Sequence, residues 1–286
     1  MHSHLEKTEY EPFKRLLLEI SYDGSEYSGW QVQPHCETVQ LVLQQLLRRL
    51  YGGKSINVLG SSRTDAGVHA VGFAACYLCP ERPDIPTPKL MTALNSMLPS
   101  AIRIRNIEEV PLSFHARYDA IGKAYTYVLN FGKESPFTSK YTWHIRTKTD
   151  ITAMRQAAEM LVGTHDYSSF VVERHKYDNA IRTIQSIDFI FTGSMLCISF
   201  KGNGFLYKMI RCIVGALESV GRGYITVEQF KTIFEAKDRT QAPETAPAHG
   251  LFLVKVFYDQ SEMDSFELKT IPFCMNISEK PSRIKT

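Results

Sequence analysis

Residues 63–70 (Arg-Thr-Asp-Ala-Gly-Val-His-Ala) carry the side chains best suited to chemistry in this sequence. Asp65 lies in a Thr-Asp-Ala-Gly stretch, which favours a tight turn because Asp accepts local backbone hydrogen bonds and Gly tolerates a positive φ. Arg63 stands two residues earlier, so in extended backbone the two side chains share a face. A cation at that position favours an ionised carboxylate or binds a phosphate. The alternative is a purely structural turn.

No second acid lies within ten residues of Asp65 on either side. A metal-dependent nuclease or phosphatase needs clustered acids, so this pattern disfavours that class. If the site is catalytic, one carboxylate must act alone as a nucleophile or as a base. Cys76 and Cys79 have the spacing of zinc ligands, but residues three apart on a strand face opposite sides and no matching pair follows. We therefore expect no metal site.

Composition excludes several classes of protein. The chain has 286 residues with 44% hydrophobic and 22% charged content, enough for one large or two modest domains. The formal net charge is only +3, so any RNA-binding surface requires uneven placement of charge. Six cysteines without a dense framework favour a reducing compartment. Residues 1–14 lack the apolar core of a signal peptide, and the chain has no apolar run long enough to cross a membrane. We expect a cytoplasmic protein with no membrane partner.

The hydrophobic pattern of the first half predicts the element order βαββαβ. Alternating apolar residues predict strands at 16–22, 56–58, 68–78 and 102–104, and the second of these leads into the Asp65 turn. Helical spacing predicts a helix at 39–50 with Thr38 as its N-cap, and another that opens at Thr87-Pro88. This order is that of the ferredoxin-like unit.

The second half repeats the same order. Strands are predicted at 125–131, 184–191, 195–200 and 251–258, helices at 150–161 and 206–221, and a further helix behind the capping box of Thr226 and Gln229. We predict an α/β (α+β) fold with a mixed or antiparallel sheet and an RNA-binding cleft between two ferredoxin-like halves. The halves are residues 1–112, which carry Asp65, and 113–260, joined near 110–116. A polar tail, 261–286, has a composition compatible with disorder.

Helices of such units cover one face of the sheet and leave the other face open. Arg103 and Arg105 alternate with Ile102 and Ile104, so the two arginines are expected on the open face. There they either contact RNA backbone or are simply solvated.

Further strings of residues, in a single order, resemble the tRNA pseudouridine synthases of the TruA family. Each string alone is weak, and the ordered set, which spans about residues 16 to 258, carries the resemblance. Besides residues 60–70, the strings are Tyr-Asp-Gly at 22–24, Gly-Trp-Gln at 29–31, Phe-His-Ala-Arg at 114–117, Lys-Ala-Tyr-Thr-Tyr at 123–127, Gly-Thr-His-Asp-Tyr at 163–167, Asn-Gly-Phe-Leu at 203–206 with Met-Ile-Arg at 209–211, and Ala-Pro-Ala-His-Gly-Leu at 246–251.

The resemblance implies an isomerase that converts uridine in tRNA to pseudouridine. The bond from C1′ to N1 breaks, the freed base turns, and it rejoins the sugar through C5, which requires no metal or nucleotide cofactor. Glycoside hydrolases use two carboxylates because one must activate water, whereas an isomerase that keeps its base has no such water. The lone Asp65 suits this chemistry, whether it attacks the sugar, attacks the uracil ring or removes a sugar proton.

The resemblance also implies two substrate-binding residues, and the spacing of the Asp65 turn suggests a third. Tyr125 matches the family tyrosine that stacks on the target base, and Arg211 matches the active-site arginine, suggested to pair with Asp65 or with a phosphate. Arg63 keeps Asp65 ionised or binds backbone phosphate. The alternatives are a core aromatic for Tyr125 and solvated arginines for the other two.

The same strings show one departure from the family pattern and contain three histidines. The family has a basic pair before this tyrosine, whereas this chain has Lys123-Ala124, one positive charge fewer. His69, His115 and His165 are expected to have structural roles beside turns.

By the same resemblance, the expected substrate is the anticodon stem-loop of tRNA, around positions 38 to 40. The expected assembly is a homodimer, in which one subunit grips the tRNA while the other presents the active site. Two other functions stay open: a non-catalytic RNA-binding protein built from two ferredoxin-like halves, and a synthase of the same family that acts on other uridines.

Overall fold

The structure is a computed structural model that describes residues 12–275. The N-terminal stretch through residue 11 and residues 276–286 of the predicted tail lie outside the described residues. All of the described strands belong to one ten-stranded mixed sheet. No helix of the described part combines the length and apolar character required to cross a bilayer.

The first half has the predicted βαββαβ order. Its elements are β1 (Pro12–Tyr22), α1 (Val39–Leu50), β2 (Leu59–Gly60), β3 (His69–Pro80), α2 (Thr87–Met97) and β4 (Ile102–Val110). The strands lie in the order β4-β1-β3-β2. Thr38 caps α1 as predicted, since its side chain accepts a hydrogen bond from the Leu41 amide. Ile56 and Val58 are buried as expected, but only residues 59 and 60 of that segment pair as a strand.

The second half repeats this arrangement and adds to it. Its elements are β5 (Gly122–Asn130), β6 (Trp143–His144), α3 (Ile151–Glu159), β7 (Gly163–Asp166), β8 (Ile181–Thr192), β9 (Met195–Gly202), α4 (Met209–Gly221), α5 (Val227–Ala236), β10 (Leu251–Phe257) and α6 (Gln260–Ser265). The order β10-β5-β9-β8 matches that of the first half, strand for strand. β6, β7, α5 and α6 lie outside the repeated unit.

One prediction about α4 differs from the structure. The apolar pattern predicts a helix from residue 206, but α4 begins at Met209. Lys208 adopts a left-handed conformation with φ of 58°, which ends any helical path from Leu206 and redirects the chain. As a result Arg211 lies in the first turn of α4.

The two halves join along one edge of β3. Midway along, β3 pairs with the short β2 at Ala75 and Cys76, and at its start it pairs in parallel with β10 at His69 and Ala70. The connection between β2 and β3, residues 61–68, leaves the sheet where these two partners diverge. Asp65 therefore lies at the junction between the halves.

Helices α1 to α4 cover one face of the sheet, with the main core between helices and sheet, and α5 packs against α3 and α4. Apolar side chains of α1 and α2 pack against alternate residues of β1 and β3, and those of α3 and α4 against β5 and β9. Trp30 stacks on Phe73 at 4.1 Å between ring centroids. Burial of this apolar area is the main source of stability.

The opposite face of the sheet is covered in its central part by residues 260–275. Met263 of α6 packs against Ala124 and Phe257, while Leu268 and Ile271 pack in a second cluster with Phe252 and Val254, among others. The sequence predicts an open face here, and the structure differs because the tail carries apolar residues that match the apolar side chains of β5, β9 and β10.

Arg103 also differs from its predicted role. Its guanidinium donates to the carbonyls of Pro99 and Ile102, 2.6 Å away in each case, and so binds the chain just after α2. Ile102 and Ile104 are buried as predicted, and Arg105 is exposed.

Candidate active site

Asp65 begins a tight turn that connects the junction to β3. The Val68 amide donates to the Asp65 carbonyl at 3.1 Å, and Gly67, the third residue of the turn, has φ of 78°. A positive φ at this position favours glycine. The predicted turn is therefore present, and it aims the Asp65 side chain back toward the second half of the protein.

The turn is fixed by the segment that follows β1. The Trp30 amide donates to the Thr64 carbonyl at 3.2 Å, and the hydroxyls of Tyr22 and Thr64 lie 2.8 Å apart. A Cβ on Gly29 would lie 2.3 Å from the Thr64 oxygen, so only glycine fits there. This contact gives a physical reason for the Tyr-Asp-Gly and Gly-Trp-Gln strings.

Asp65 pairs with Arg211 of α4. Nη1 of Arg211 lies 2.5 Å from Oδ2 of Asp65, and the two side chains are only 13% and 14% exposed. The same guanidinium donates from Nε to the Ala246 carbonyl at 2.8 Å, and the Ala246 amide donates to the Arg211 carbonyl. Since both ends of the guanidinium are held, it presents a fixed positive charge to the carboxylate.

Close packing of α4 against residues 244–247 makes this arrangement possible. A Cβ on Gly215 would lie 2.0 Å from the Glu244 carbonyl oxygen, so the helix can approach this segment only with glycine there. Tyr127 of β5 donates to the Pro247 carbonyl at 2.7 Å. Together these contacts fix the segment just before β10, and with it the position of Ala246.

Tyr125 lies beside the same turn. Its hydroxyl donates to Oγ of Ser62 at 3.3 Å, and the side chain is almost fully buried. Burial raises the pKa of Tyr125 to about 12, against the hydrogen bond with Ser62, and the negative charge of Asp65 adds to the rise. The phenol is therefore neutral at physiological pH.

Phe205 packs edge-on against Tyr125, with centroids 5.4 Å apart and an interplanar angle of 80°. Sequence reasoning noted the Asn-Gly-Phe-Leu string but assigned this phenylalanine no role. Its signal in the sequence is weak, because a phenylalanine near a helix start resembles any other core residue.

Lys123 is a second residue that sequence reasoning left without a role. Its ammonium donates to the Ser61 carbonyl at 2.7 Å and so ties β5 to the segment that leads to Asp65. Burial, followed by the positive charges of Arg117 and Arg182, lowers the pKa of Lys123 to about 8. The neighbouring Ala124 faces the opposite side of the sheet, so a cation at 124 would point away from Asp65.

Arg63 lies apart from this cluster. It is exposed, and within the described part of the chain the ion pair of Asp65 is made by Arg211. The side chains of 63 and 65 differ in environment because the chain enters the turn at Thr64, which is buried. The guanidinium of Arg63 is accessible to a bound polyanion.

The three histidines within the strings have the structural roles expected of them. Nδ1 of His69 accepts from the Gly24 amide at 3.0 Å, and Nδ1 of His115 accepts from the Arg117 amide at 3.0 Å. Nε2 of His165 lies 3.0 Å from the Val162 carbonyl. Each ring thus stabilises a local turn or loop.

The cysteine pair is likewise structural. Sγ of Cys76 accepts from the Ala116 amide, while Sγ of Cys79 donates to the Tyr51 hydroxyl within the main core. The two thiols therefore face opposite sides of β3, as predicted. Across residues 12–275, no group of three or more His, Cys, Asp or Glu side chains is arranged to hold a metal ion.

Comparison with known proteins agrees with the geometry. Residues 20–119 and 157–259 match the model of a family described as tRNA pseudouridine synthase. The chain belongs to this tRNA pseudouridine synthase family. The TruA resemblance is thereby confirmed, and with it the assignment as an isomerase. Residues 260–275, which cover the second sheet face, lie beyond the matched region.

Similar family members match nearly end to end. The tRNA pseudouridine synthase A 1 of Protochlamydia amoebophila is 42% identical over 246 residues, which cover 85% of this chain and 95% of that protein. The tRNA pseudouridine synthases A of Exiguobacterium sibiricum and Chlamydia muridarum are 42% and 40% identical, covering 87% and 86% of this chain and 98% and 92% of their own lengths. Among solved structures, one from a Cbf5-Nop10-Gar1 complex matches with a TM-score of 0.32 at 10% identity, over 76% of this chain and 52% of that chain, too low to support an argument.

Proposed function

We propose that this synthase converts uridine to pseudouridine in the anticodon stem-loop of tRNA, at positions 38, 39 or 40, with Asp65 as its catalytic nucleophile or base. One observation carries the catalytic part: the pair of Asp65 and Arg211 at the junction between the halves, next to Tyr125. The positions rest on the TruA resemblance.

The reaction leaves the atoms of the substrate unchanged in number. The C1′–N1 bond of uridine breaks, the base turns, a C1′–C5 bond forms, and the proton on C5 moves to nitrogen. Asp65 is held by Arg211 and is largely shielded from solvent, so it can act on the sugar or on the uracil ring without an activated water. The proposal includes no metal and no cofactor, because no redox step or added group is required.

Two further residues act on the substrate in this proposal. Tyr125 stacks on the uracil once the uridine has left the helix stack, and its neutral phenol offers a hydrogen bond at the edge of the ring. Arg63, which is exposed, binds a backbone phosphate beside the target nucleotide.

The test is incubation of unmodified tRNA transcripts with the protein, followed by carbodiimide treatment and primer extension. Wild type is expected to give stops at positions 38 to 40, with the same yield in EDTA. Asp65→Asn is expected to give none while it retains tRNA affinity within about twofold, and Asp178→Asn, an exposed acid, serves as the matched control.

The rival functions predict different outcomes. A non-catalytic RNA-binding protein gives no stops with wild type, and a family member with another target gives Asp65-dependent stops elsewhere. Loss of activity in EDTA that returns with added Mg²⁺ contradicts the cofactor-free mechanism.

The proposed assembly is a homodimer in the cytoplasm. Within the described residues none of the six cysteines forms a disulfide, as is usual in a reducing compartment. A modest net charge of +3 leaves one subunit with limited means to hold a whole tRNA, which favours two. Light scattering measures the mass, and a monomer with full activity contradicts the dimer.

A further inference from the structure

Three cations from separate segments of the chain converge beside the segment that leads to Asp65. Arg117 lies in the connection between β4 and β5, Lys123 in β5 and Arg182 in β8. The charges of Arg117 and Arg182 act on Lys123, and that of Arg117 also acts on Arg182. We call these three residues the cationic triad.

Two glycines, Gly202 and Gly204, lie next to the cationic triad. Lys123 lies opposite Gly202 in the pairing of β5 with β9, and Gly202 contacts the neighbouring β8, where a Cβ would lie 2.5 Å from the Thr183 carbonyl. A Cβ on Gly204 would lie 4.0 Å from Nε of Arg182. Gly202 therefore allows β9 to approach β8 closely beside Lys123, and the missing side chain of Gly204 leaves space next to Arg182.

The charges of the triad are not balanced by the protein. No carboxylate of the described residues forms an ion pair with any of the three. Arg182 is partly buried, and burial lowers its pKa, against the effect of Tyr177, while the charge of Arg117 lowers it further. Like charges held together without an acid are unfavourable, so the triad gains free energy when an anion binds.

The surroundings favour an RNA strand as the source of that anion. Lys123 contacts the Ser61 carbonyl at 2.7 Å, so the triad lies next to the segment that continues to the exposed Arg63 and to Asp65. The Arg117 guanidinium lies over the ring of Tyr118, 5.7 Å from its centroid, and this ring is 68% exposed. Cations interleaved with exposed aromatic rings are typical of single-stranded RNA sites.

We propose that Arg117, Lys123 and Arg182 form a phosphodiester-binding subsite that holds the RNA backbone close to the target uridine. The subsite rests on the proposed function, since it assigns to that reaction a place for the strand that flanks the modified nucleotide. Arg117 and Arg182 contact phosphate directly. Lys123, which is more deeply buried, adds positive charge beneath the bound phosphate and holds the Ser61 backbone through its hydrogen bond.

The test measures binding of a fluorescently labelled anticodon stem-loop RNA to the Asp65→Asn protein, so that no turnover alters the ligand. Arg117→Gln and Arg182→Gln are each expected to weaken affinity roughly tenfold at 0.1 M salt. The slope of log K against log salt is expected to fall by about 0.7 to 1 for each variant. Lys231→Gln, which removes an exposed lysine of α5, should stay within about twofold.

The outcomes separate this subsite from the rest of the mechanism. When the same two arginine substitutions are made in the protein that retains Asp65, most of the loss in kcat/KM should appear as a higher KM. If Arg117→Gln and Arg182→Gln have the same RNA affinity as Lys231→Gln, an unchanged salt slope and normal thermal unfolding, the proposed subsite is wrong. A fall in kcat at unchanged affinity also overturns it, because it indicates a role in shaping the active site alone. If wild type modifies no uridine and Arg182→Gln still loses affinity, the proposed function fails and the subsite stands.

Discussion

The side chains of Asp65 and Arg211 are in contact at 2.5 Å although 146 positions separate them in the chain. Asp65 belongs to the first ferredoxin-like half and Arg211 to the second. Neither half contains both groups, so the candidate active site exists only where the halves meet.

Loss of the Arg211 guanidinium should strongly reduce catalysis. Arg211→Met leaves Asp65 without its partner and the Ala246 carbonyl without its donor, so we expect single-turnover rates to fall by about 100- to 1000-fold. Arg222→Gln is the matched control at the C-cap of α4, since it removes an ion pair with Glu218 at the far end of that helix. Equal rates for the two variants would show that the Arg211 contact has no part in the reaction.

Gly215 should affect stability and catalysis because it allows α4 to contact the Glu244 carbonyl, and not because of its backbone conformation. Gly215→Ala forces α4 away from the Glu244 carbonyl, so we expect a loss of about 1–3 kcal/mol in unfolding free energy and a lower kcat. Gly53→Ala is the control, because φ of 87° there strains the backbone by about 1 kcal/mol while nothing lies within 4 Å. Urea unfolding and kcat check both, and normal kcat for Gly215→Ala contradicts the link to Arg211.

The pH dependence of activity should carry no contribution from Tyr125 up to pH 9. Its folded pKa is about 12, so the phenol keeps its proton over that range. Tyr125→Phe retains the ring and should lose less activity than Tyr125→Leu, which lacks a face for the uracil; stacking of one base contributes about 1–3 kcal/mol. A decline between pH 7 and 9 that disappears in Tyr125→Phe contradicts this assignment.

Lys123 should instead make RNA binding depend on pH. Its pKa of about 8, lowered from 10.5, means that the ammonium is charged at pH 7 and mostly neutral at pH 9. Since the charged form attracts phosphate, wild-type affinity is expected to fall several-fold between those values. Lys123→Arg keeps its charge throughout and serves as the control, with a flatter profile in anisotropy titrations. Parallel profiles would exclude Lys123 as the titrating group.

Residues 260–275 should contribute to stability through the second sheet face. Ile271→Ala and Leu268→Ala remove buried side chains, so each is expected to cost about 2–4 kcal/mol of unfolding free energy. Lys269→Ala changes an exposed residue between them and should cost less than about 0.5 kcal/mol. If chemical denaturation finds all three alike, the packing of this segment does not stabilise the fold.

Hydrophobic periodicity and long apolar runs were sufficient to predict the repeated unit. β1 and α1 carry patterns long enough to distinguish a period of two from one of 3.6, whereas β3 is buried on both faces and was predicted from its continuous apolar run. β2 and β6 have two residues each and carry no period. The packing of the tail on the second sheet face was not predicted, because its apolar residues have no regular spacing. These residues are Phe266, Leu268, Ile271 and Phe273, and their burial depends on apolar residues of distant strands.

The candidate site was predictable in its members but not in its contacts. Asp65, Tyr125 and Arg211 were identified from the strings, and the structure brings them together. Arg63 was expected beside Asp65 from its spacing in the sequence, whereas the cation in contact comes from α4. Distance along a chain says little about neighbours across a junction, which also explains why Lys123 and Phe205 were assigned no role.

The shared edge of β3 makes catalysis depend on alignment. β10 pairs with β3 at only two positions, and a slip by one residue would turn each side chain of β10 to the wrong face and shift the segment that holds Arg211. A misaligned chain therefore cannot keep partial activity. The contact between Asp65 and Arg211 thus forms only when the strands of the sheet are paired in the correct register.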